Sequence, residues 1–334
     1  MEDWCHTVLA PIIRAPEPTL SEAAIRLDGQ VVIVTGAGHG LGRGYACALA
    51  ARGAAVLVND IDAARAAAVV ATITEAGGAA LAETSSVATP EGGVAIVDAA
   101  LDAFGGRVDA VVNNAGQLRN AAFDEMSLDE FRAVLDTHLA GAFHVTQPAF
   151  RHMRDAGYGR LVFTSSSATF GAHWQANYAA AKAGLIGLSN VVALEGAPYG
   201  IRANAIMPMA LTGMGAGGPP PYPPDVLAET AAALEPMARA LTVENVAPLV
   251  VYLVSRACSE TGRVFSVGAG SFARAFVGVT PGWTAPEGAP VTPEDIAAHL
   301  DQVGALTGFT VPETMNDASR FVARTLAESR SPAR

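Results

Sequence analysis

From residue 30 onward, short β-branched apolar runs alternate repeatedly with helical patterns, and that alternation leaves few folds open. "QVVIVT" (30–35) is apolar at nearly every position, as a strand buried on both faces must be. A Gly-rich turn follows, then "LGRGYACALAARG", a helical pattern closed by Gly53. Further strand-like runs lie at 54–60, 79–85, 107–114, 160–166, 201–208 and 264–268. Helical patterns fill 61–77, 90–104, 127–156 and 176–197. Strands joined by helical crossovers lie parallel and connect right-handedly. The expected fold is therefore α/β: a doubly wound, seven-stranded parallel sheet with helices on both faces. Such sheets bind ligands beyond the carboxyl ends of their strands.

The remainder of the chain divides around that unit. Residues 1–28 read as an extension, 29–268 as the catalytic sheet domain, and 269–334 as a tail that covers a substrate site or contacts another subunit. "MGAGGPPPYPPD" (214–225) is too rich in Gly and Pro for regular structure. It is either a substrate lid or a plain surface loop. Of 334 residues, 51% are apolar, enough for a large core. A net charge of -11 argues against nucleic acid or an anionic membrane as partner. The three cysteines are scattered without metal-ligand spacing, so no metal and no disulfide framework is expected, and a reducing cytoplasm fits. The acidic N-terminus lacks the basic region of a signal peptide, and no apolar run is long enough for a membrane helix.

"TGAGHGLG" (35–42) joins the first strand to the first helix. Gly36, Gly40 and Gly42, with His39 and Leu41 between and beside them, let the backbone turn sharply and bring a helix N-terminus up to a pyrophosphate. The sheet is thus Rossmann-like. Asp60 ends the second strand, where a carboxylate accepts the ribose hydroxyls of an adenosine and repels a 2′-phosphate. No Arg adjoins it, the next being Arg65, so the expected cofactor is NAD.

Lys182 is the only lysine among 21 basic residues, in the stretch "QANYAAAKAG". A compact ammonium is not interchangeable with a guanidinium. Tyr178 lies four residues before it, on the same helix face. A phenol with an ordinary pKa near 10 is a poor base at neutral pH, and a neighbouring ammonium lowers that value. The pair suits general acid–base catalysis, and "TSSS" (164–167) after the fifth strand offers hydroxyls to hold a substrate oxygen.

Together "TGAGHGLG", "NNAG" (113–116) and "YAAAK" (178–182) resemble the short-chain dehydrogenase/reductase family over about 29–268. The resemblance implies that Tyr178 transfers the proton, that Lys182 binds the nicotinamide ribose and depresses the tyrosine pKa, and that a serine thirteen residues before the tyrosine, Ser165, holds the reacting oxygen. It implies that Asn113, Ala115, Gly116, Ser86 and Val87 line the cofactor path. Pro208 and Thr212 are expected near the nicotinamide. Where the family has an Asn whose carbonyl orders a relay water, this chain has His138, within "THLAGAF". Either the backbone alone serves there, or a titratable imidazole joins the relay and alters the pH profile, or His138 is simply hydrogen-bonded within the helix layer.

"HL" at 138–139, "WQANYAAAK", "FSVGAGSFAR" and the tail resemble one branch, the (3R)-hydroxyacyl-CoA dehydrogenase module of peroxisomal multifunctional enzymes. The expected substrate is a small hydrophobic secondary alcohol or its ketone: a 3-hydroxyacyl-CoA or a hydroxysteroid-like compound. Arg119, Arg151 and Arg154 are the candidates for a CoA phosphate. An NADPH-dependent ketoreductase is the alternative, against which Asp60 argues. Family members pair through two long helices, so a homodimer or homotetramer is expected. The chain is read as a stand-alone form of the module.

Overall fold

The run that reads as the first strand becomes β1 (Val31–Thr35), every residue of it buried. A computed structural model describes residues 24–212, 223–288 and 290–330. After β1 come α1 (Gly40–Ala51), β2 (Ala55–Asn59), α2 (Ala63–Glu75), β3 (Ala79–Glu83), α3 (Pro90–Ala103) and β4 (Ala110–Asn113). The second half holds α4 (Leu128–Leu135), α5 (Gly141–Ala156), β5 (Gly159–Thr164), α6 (Ala176–Gly196) and β6 (Ile201–Met209). Then follow α7 (Pro224–Leu234), α8 (Ala247–Val254), β7 (Arg263–Gly268) and β8 (Ser271–Ala275). Helices α9 (Pro293–Ala298), α10 (Leu300–Val303) and α11 (Met315–Arg330) complete the described chain.

Local sequence sets the helix starts. Asp62 accepts from the N–H groups of Ala64 and Arg65, and Thr89 caps α3 just before Pro90. Ser127 and Glu130 form a reciprocal capping box on α4. Each such cap is worth about 1 kcal/mol. Because successive strand residues face opposite sides, Val32, Val34, Val56 and Val58 enter one core with α1 and α8. Val31, Ile33, Leu57 and Val111 enter the other with α3 and α5.

The strand order is β3-β2-β1-β4-β5-β6-β7-β8. The chain leaves β3 and returns on the far side of β1, so the order reverses between β1 and β4. That switch point opens a crevice at the strands' carboxyl ends, where doubly wound sheets bind ligands.

Two features depart from the sequence reading. The sheet has eight strands rather than seven, and β8 runs antiparallel to β7. Ala269 and Gly270 both have positive φ, 51° and 78°, the signature of a tight two-residue hairpin. The sheet therefore extends into what reads as tail. Arg263 of β7 also pairs with Glu313 at 2.6 Å, which ties the later tail to the sheet. Second, the single helix expected over 127–156 carries one π-helical turn, Asp136–Ala140, between α4 and α5. No single helix among the described residues is long and apolar enough to cross a membrane. The Gly/Pro-rich segment falls mostly, and the N-terminal extension largely, outside the described residues.

Candidate active site

A cleft of about 430 Å³ occupies the switch point. Gly36, His39, Gly40, Leu41 and Gly42 form one wall, Asp60, Ser86 and Val87 line it on the side of β2 and β3, and Ala115, Gly116 and Thr212 line it further on. These eleven are residues the sequence assigns to cofactor binding. Gly36 and Gly42 of the loop have no room for side chains. A Cβ on Gly42 would lie 2.2 Å from the Gly36 oxygen, and one on Gly36 would lie 2.7 Å from Ala115 Cα. The N-cap His39 makes no side-chain cap to α1, so the first N–H groups of that helix remain available to an anion.

Asp60 is buried and turned toward the loop. Its Oδ2 accepts from Gly38 N–H at 2.9 Å and its Oδ1 from Asp62 N–H at 3.0 Å. His39 Nδ1 stands 3.9 Å from Asp60 Oδ2. Arg65, which the sequence leaves aside, also lines the cleft, paired with Asp62 at 3.1 Å. A narrow cleft with a tight glycine wall, an uncapped helix N-terminus and a carboxylate at the end of β2 fits a dinucleotide.

Two residues assigned to the cofactor lie outside this cleft. Asn113 does not line this cleft; its side chain points inward, and its Nδ2 donates to Thr146 Oγ1 at 2.9 Å. The alternation along β4 turns Asn114 to the cleft instead, where its Nδ2 donates to the carbonyls of Thr35 and Gly36. Thr35 Oγ1 accepts from the N–H groups of Asn114 and Ala115, so the ends of β1 and β4 are stapled. Pro208 stays within β6, in register with Val267, and is not on the cleft wall.

Beyond Gly116 and Gln117, at the end of the cleft, His138 bonds to Gln117 and packs against Tyr178 of the acid–base group. Tyr178 and Lys182 lie one turn apart on α6, with Lys182 Nζ 5.4 Å from the centre of the tyrosine ring. Lys182 is buried and donates to the Thr164 carbonyl at the end of β5. Burial lowers its pKa to about 7. Burial raises that of Tyr178, and a hydrogen bond to Ser166 acts in the opposite sense. Burial thus acts against the depression that the resemblance implies for the pair.

The serine also differs from the expectation. Ser165 is buried and its hydroxyl donates to the Lys182 carbonyl at 2.8 Å, within the core. Ser166 is the residue hydrogen-bonded to Tyr178, and its Oγ also accepts from Ala168 N–H at 3.1 Å. Neighbouring residues leaving a strand point to opposite sides. A count that is one residue out therefore exchanges the hydroxyl facing the tyrosine for one facing the helix.

His138 sits on the π turn, buried, with its ring edge-on to Tyr178 at 5.2 Å. Burial, and after it the Lys182 charge, push its pKa down to about 3. It is neutral at physiological pH, so it does not supply the titration the sequence leaves open. The sequence misses two further fixtures. Asn177 is fully buried, donates to the carbonyls of Arg119 and Glu130, and accepts from Tyr178 N–H at 2.7 Å. Gln117 donates through Nε2 to Ala133 O and Thr137 Oγ1. Asn177 adjoins the tyrosine directly; nothing in the sequence marks Gln117. No cluster of metal-ligating side chains occurs among the described residues.

Comparisons with known proteins agree with this fold. A family model described as short chain dehydrogenase matches residues 30–216. A short-chain type dehydrogenase/reductase of Mycobacterium tuberculosis is 43% identical over 292 residues, 84% of this chain and 96% of its own length. Peroxisomal multifunctional enzyme type 2 of Mus musculus is 39% identical over 319 residues; the match covers 90% of this chain but only 40% of that enzyme. The crystal structure of a short chain dehydrogenase from Mycobacterium avium superposes with a TM-score of 0.70 at 38% identity, over 83% of this chain and 96% of that one.

Proposed function

The chain belongs to the short-chain dehydrogenase family, an oxidoreductase family acting on CH–OH groups, and from that premise we propose that it is an NAD-dependent dehydrogenase oxidising a hydrophobic secondary alcohol to a ketone. The single observation that carries the reading is that the glycine-walled cleft ends at Gln117, which His138 joins to the Ser166–Tyr178–Lys182 group. The loop at 36–42 and the N-terminus of α1 would hold the pyrophosphate, Asp60 the adenosine ribose, and Lys182 the nicotinamide ribose. The bound nicotinamide would supply the hydride acceptor.

The chain's own residues handle the proton. Ser166 holds the substrate oxygen beside the tyrosine oxygen, and Tyr178, as the phenolate that the nearby Lys182 ammonium favours, takes the proton from the alcohol and becomes the phenol. Asn177 fixes the first turn of α6 and thereby the height of the ring. Lys182 balances between the Thr164 carbonyl and the cleft, with a pKa of about 7 that lets its charge respond to what binds nearby. A base in hydrogen-bond reach of this kind contributes about 10²–10⁴ in rate.

Similarity to the multifunctional enzyme supports a 3-hydroxyacyl-CoA substrate, and exposed Leu211 beyond β6 suits an apolar chain. We also infer a homo-oligomer formed through α5 and α6, and a cytoplasmic location. One observation favours a second reading, an NADPH-dependent ketoreductase: Arg65 and His39 line the cleft beside Asp60 and could meet a 2′-phosphate. Steady-state rates with each nucleotide, over secondary alcohols and 3-hydroxyacyl-CoA esters, decide between them. We expect at least tenfold higher kcat/KM with NAD, and a loss of about 10²–10⁴ in Tyr178→Phe. A preference for NADP would overturn the cofactor, and an active Tyr178→Phe enzyme would overturn the mechanism.

A further inference from the structure

Beneath the π turn lies a second, much smaller cavity, of about 10 Å³, between β4 and the helix that carries His138. That is room for one water and little else. Thr35, Asn113, Thr137 and His138 line it together with apolar groups. Two buried polar atoms on these residues have no hydrogen-bond partner: Asn113 Oδ1 and His138 Nδ1. Buried polar atoms are seldom left unpaired, because each costs the full desolvation of the group. Two of them on one water-sized cavity indicate a ligand small enough to serve both.

The imidazole's other nitrogen decides the donor pattern. His138 Nε2 lies 2.9 Å from Gln117 N and 2.8 Å from Gln117 O, and one nitrogen cannot serve both. Gln117 is half-buried, and its N–H, with a single bond to make, is less readily left unpaired than its carbonyl with two lone pairs. Nε2 therefore accepts from Gln117 N–H, and the proton of the neutral ring sits on Nδ1, facing the cavity. The water that fits accepts from Nδ1–H and donates to Asn113 Oδ1. Turning the Asn113 amide over leaves a polar atom on the cavity either way.

We propose that this cavity binds one ordered water linking His138 to Asn113, and that His138, held by it in a single tautomer, is a positioning residue for Tyr178. The ring packs edge-on against Tyr178 at 5.2 Å. On its other side it fills the space left by Gly116, where a Cβ would lie 2.2 Å from His138 Cε1. The chain Gln117–His138–water–Asn113 thus ties the cleft's floor, the end of β4 and the tyrosine ring into one unit. Lys182 and Tyr178, both on α6, are the charged or titratable groups facing the imidazole, and no carboxylate favours its protonation. The inference rests on Tyr178 as the proton-transfer residue only for its kinetic consequence.

The water and the tautomer are tested without turnover. A high-resolution crystal structure is expected to show one water within hydrogen-bond distance of His138 Nδ1 and Asn113, and ¹⁵N spectra of histidine-labelled protein are expected to show the Nδ1–H tautomer of His138 unchanged from pH 5 to 8. A dry cavity, an Nε2–H tautomer or a titration in that range overturns the site. For positioning, His138→Phe keeps the ring but loses both hydrogen bonds, whereas His138→Asn is smaller and places an amide where Nδ1 was. The proposal expects kcat to fall about tenfold in His138→Phe and to recover most of that in His138→Asn, with nucleotide Kd nearly constant in both. If the ring merely fills space, the order of the two variants reverses. An active Tyr178→Phe enzyme would remove the kinetic consequence while leaving the water and the tautomer to stand or fall on their own.

Discussion

Ser165 and Ser166 are adjacent in the chain and face different environments, so their substitutions separate cleanly. Ser165→Ala removes one buried hydrogen bond to a helix carbonyl that keeps its place in the helix. The expected cost is about 1 kcal/mol of stability with kcat close to wild type. Ser166→Ala removes the hydroxyl on Tyr178, so kcat is expected to fall about 100-fold or more with little change in melting temperature. Thermal denaturation and steady-state kinetics on the two variants read both effects; a loss of kcat in Ser165→Ala alone would return the role to the serine that the count of thirteen selects. His138 carries a pH signature of a different kind. Its folded pKa of about 3 lies below its ordinary 6.5. Between those limits the native state binds fewer protons than the unfolded chain, so His138 costs stability as the pH falls through that window. Melting temperatures from pH 7 to pH 4 should fall more steeply for wild type than for His138→Asn, which has no group to titrate there. Parallel curves would show that the imidazole is not held neutral.

At the scale of elements, the loop between β1 and α1 is the least tolerant part of the site. Gly42→Ala brings a methyl to 2.2 Å of the Gly36 oxygen and 2.6 Å of Asn114 Nδ2, atoms that already staple β1 to β4. Backbone cannot yield as a flexible side chain can, so a cost of about 1–3 kcal/mol is expected. Calorimetry should show nucleotide affinity lost with it, because the same movement displaces the N-terminus of α1. That loop, Asp60 and the Tyr178–Lys182 pair were legible because each is a local pattern: glycines at a strand-to-helix junction, an acid at a strand end, two residues one helical turn apart. What was not legible depends on a single residue of phase. The direction of Asn113 rather than Asn114 turns on where β4 ends, and Ser165 rather than Ser166 turns on where β5 ends. The π turn inserts its irregularity into a pattern whose apolar spacing still reads as one helix. The strand β8 escaped because its side chains are mostly exposed and carry no alternation; only the positive φ at Ala269 and Gly270 reveals the hairpin. Arg65 showed in the sequence but not its place on the cleft wall, which follows from the ion pair with Asp62.

The whole molecule leaves large apolar side chains on the two helices through which a second copy is expected to dock. Val191 and Leu194 lie three residues apart on α6, 51% and 49% exposed, and Phe143 on α5 is 46% exposed. Residues at this spacing share a helix face. Burying a side chain of this size contributes about 1.5–3 kcal/mol, and a two-fold axis counts each contribution twice. Against this stands a net charge of -11 on each protomer, which opposes association over the whole surface and is screened by salt. The balance predicts an assembly whose affinity rises with ionic strength. Light scattering coupled to size exclusion should give a dimer or tetramer for the wild type. Leu194→Glu should shift the mass toward the monomer, because it adds a carboxylate to the apolar face and repeats it across the axis. The same helix α6 carries Tyr178 and Lys182 at its other end, so the dissociated variant also tests whether the site depends on the pairing. A variant that keeps the wild-type mass would place the interface elsewhere, the exposed apolar residues of β8 being the next surface to probe.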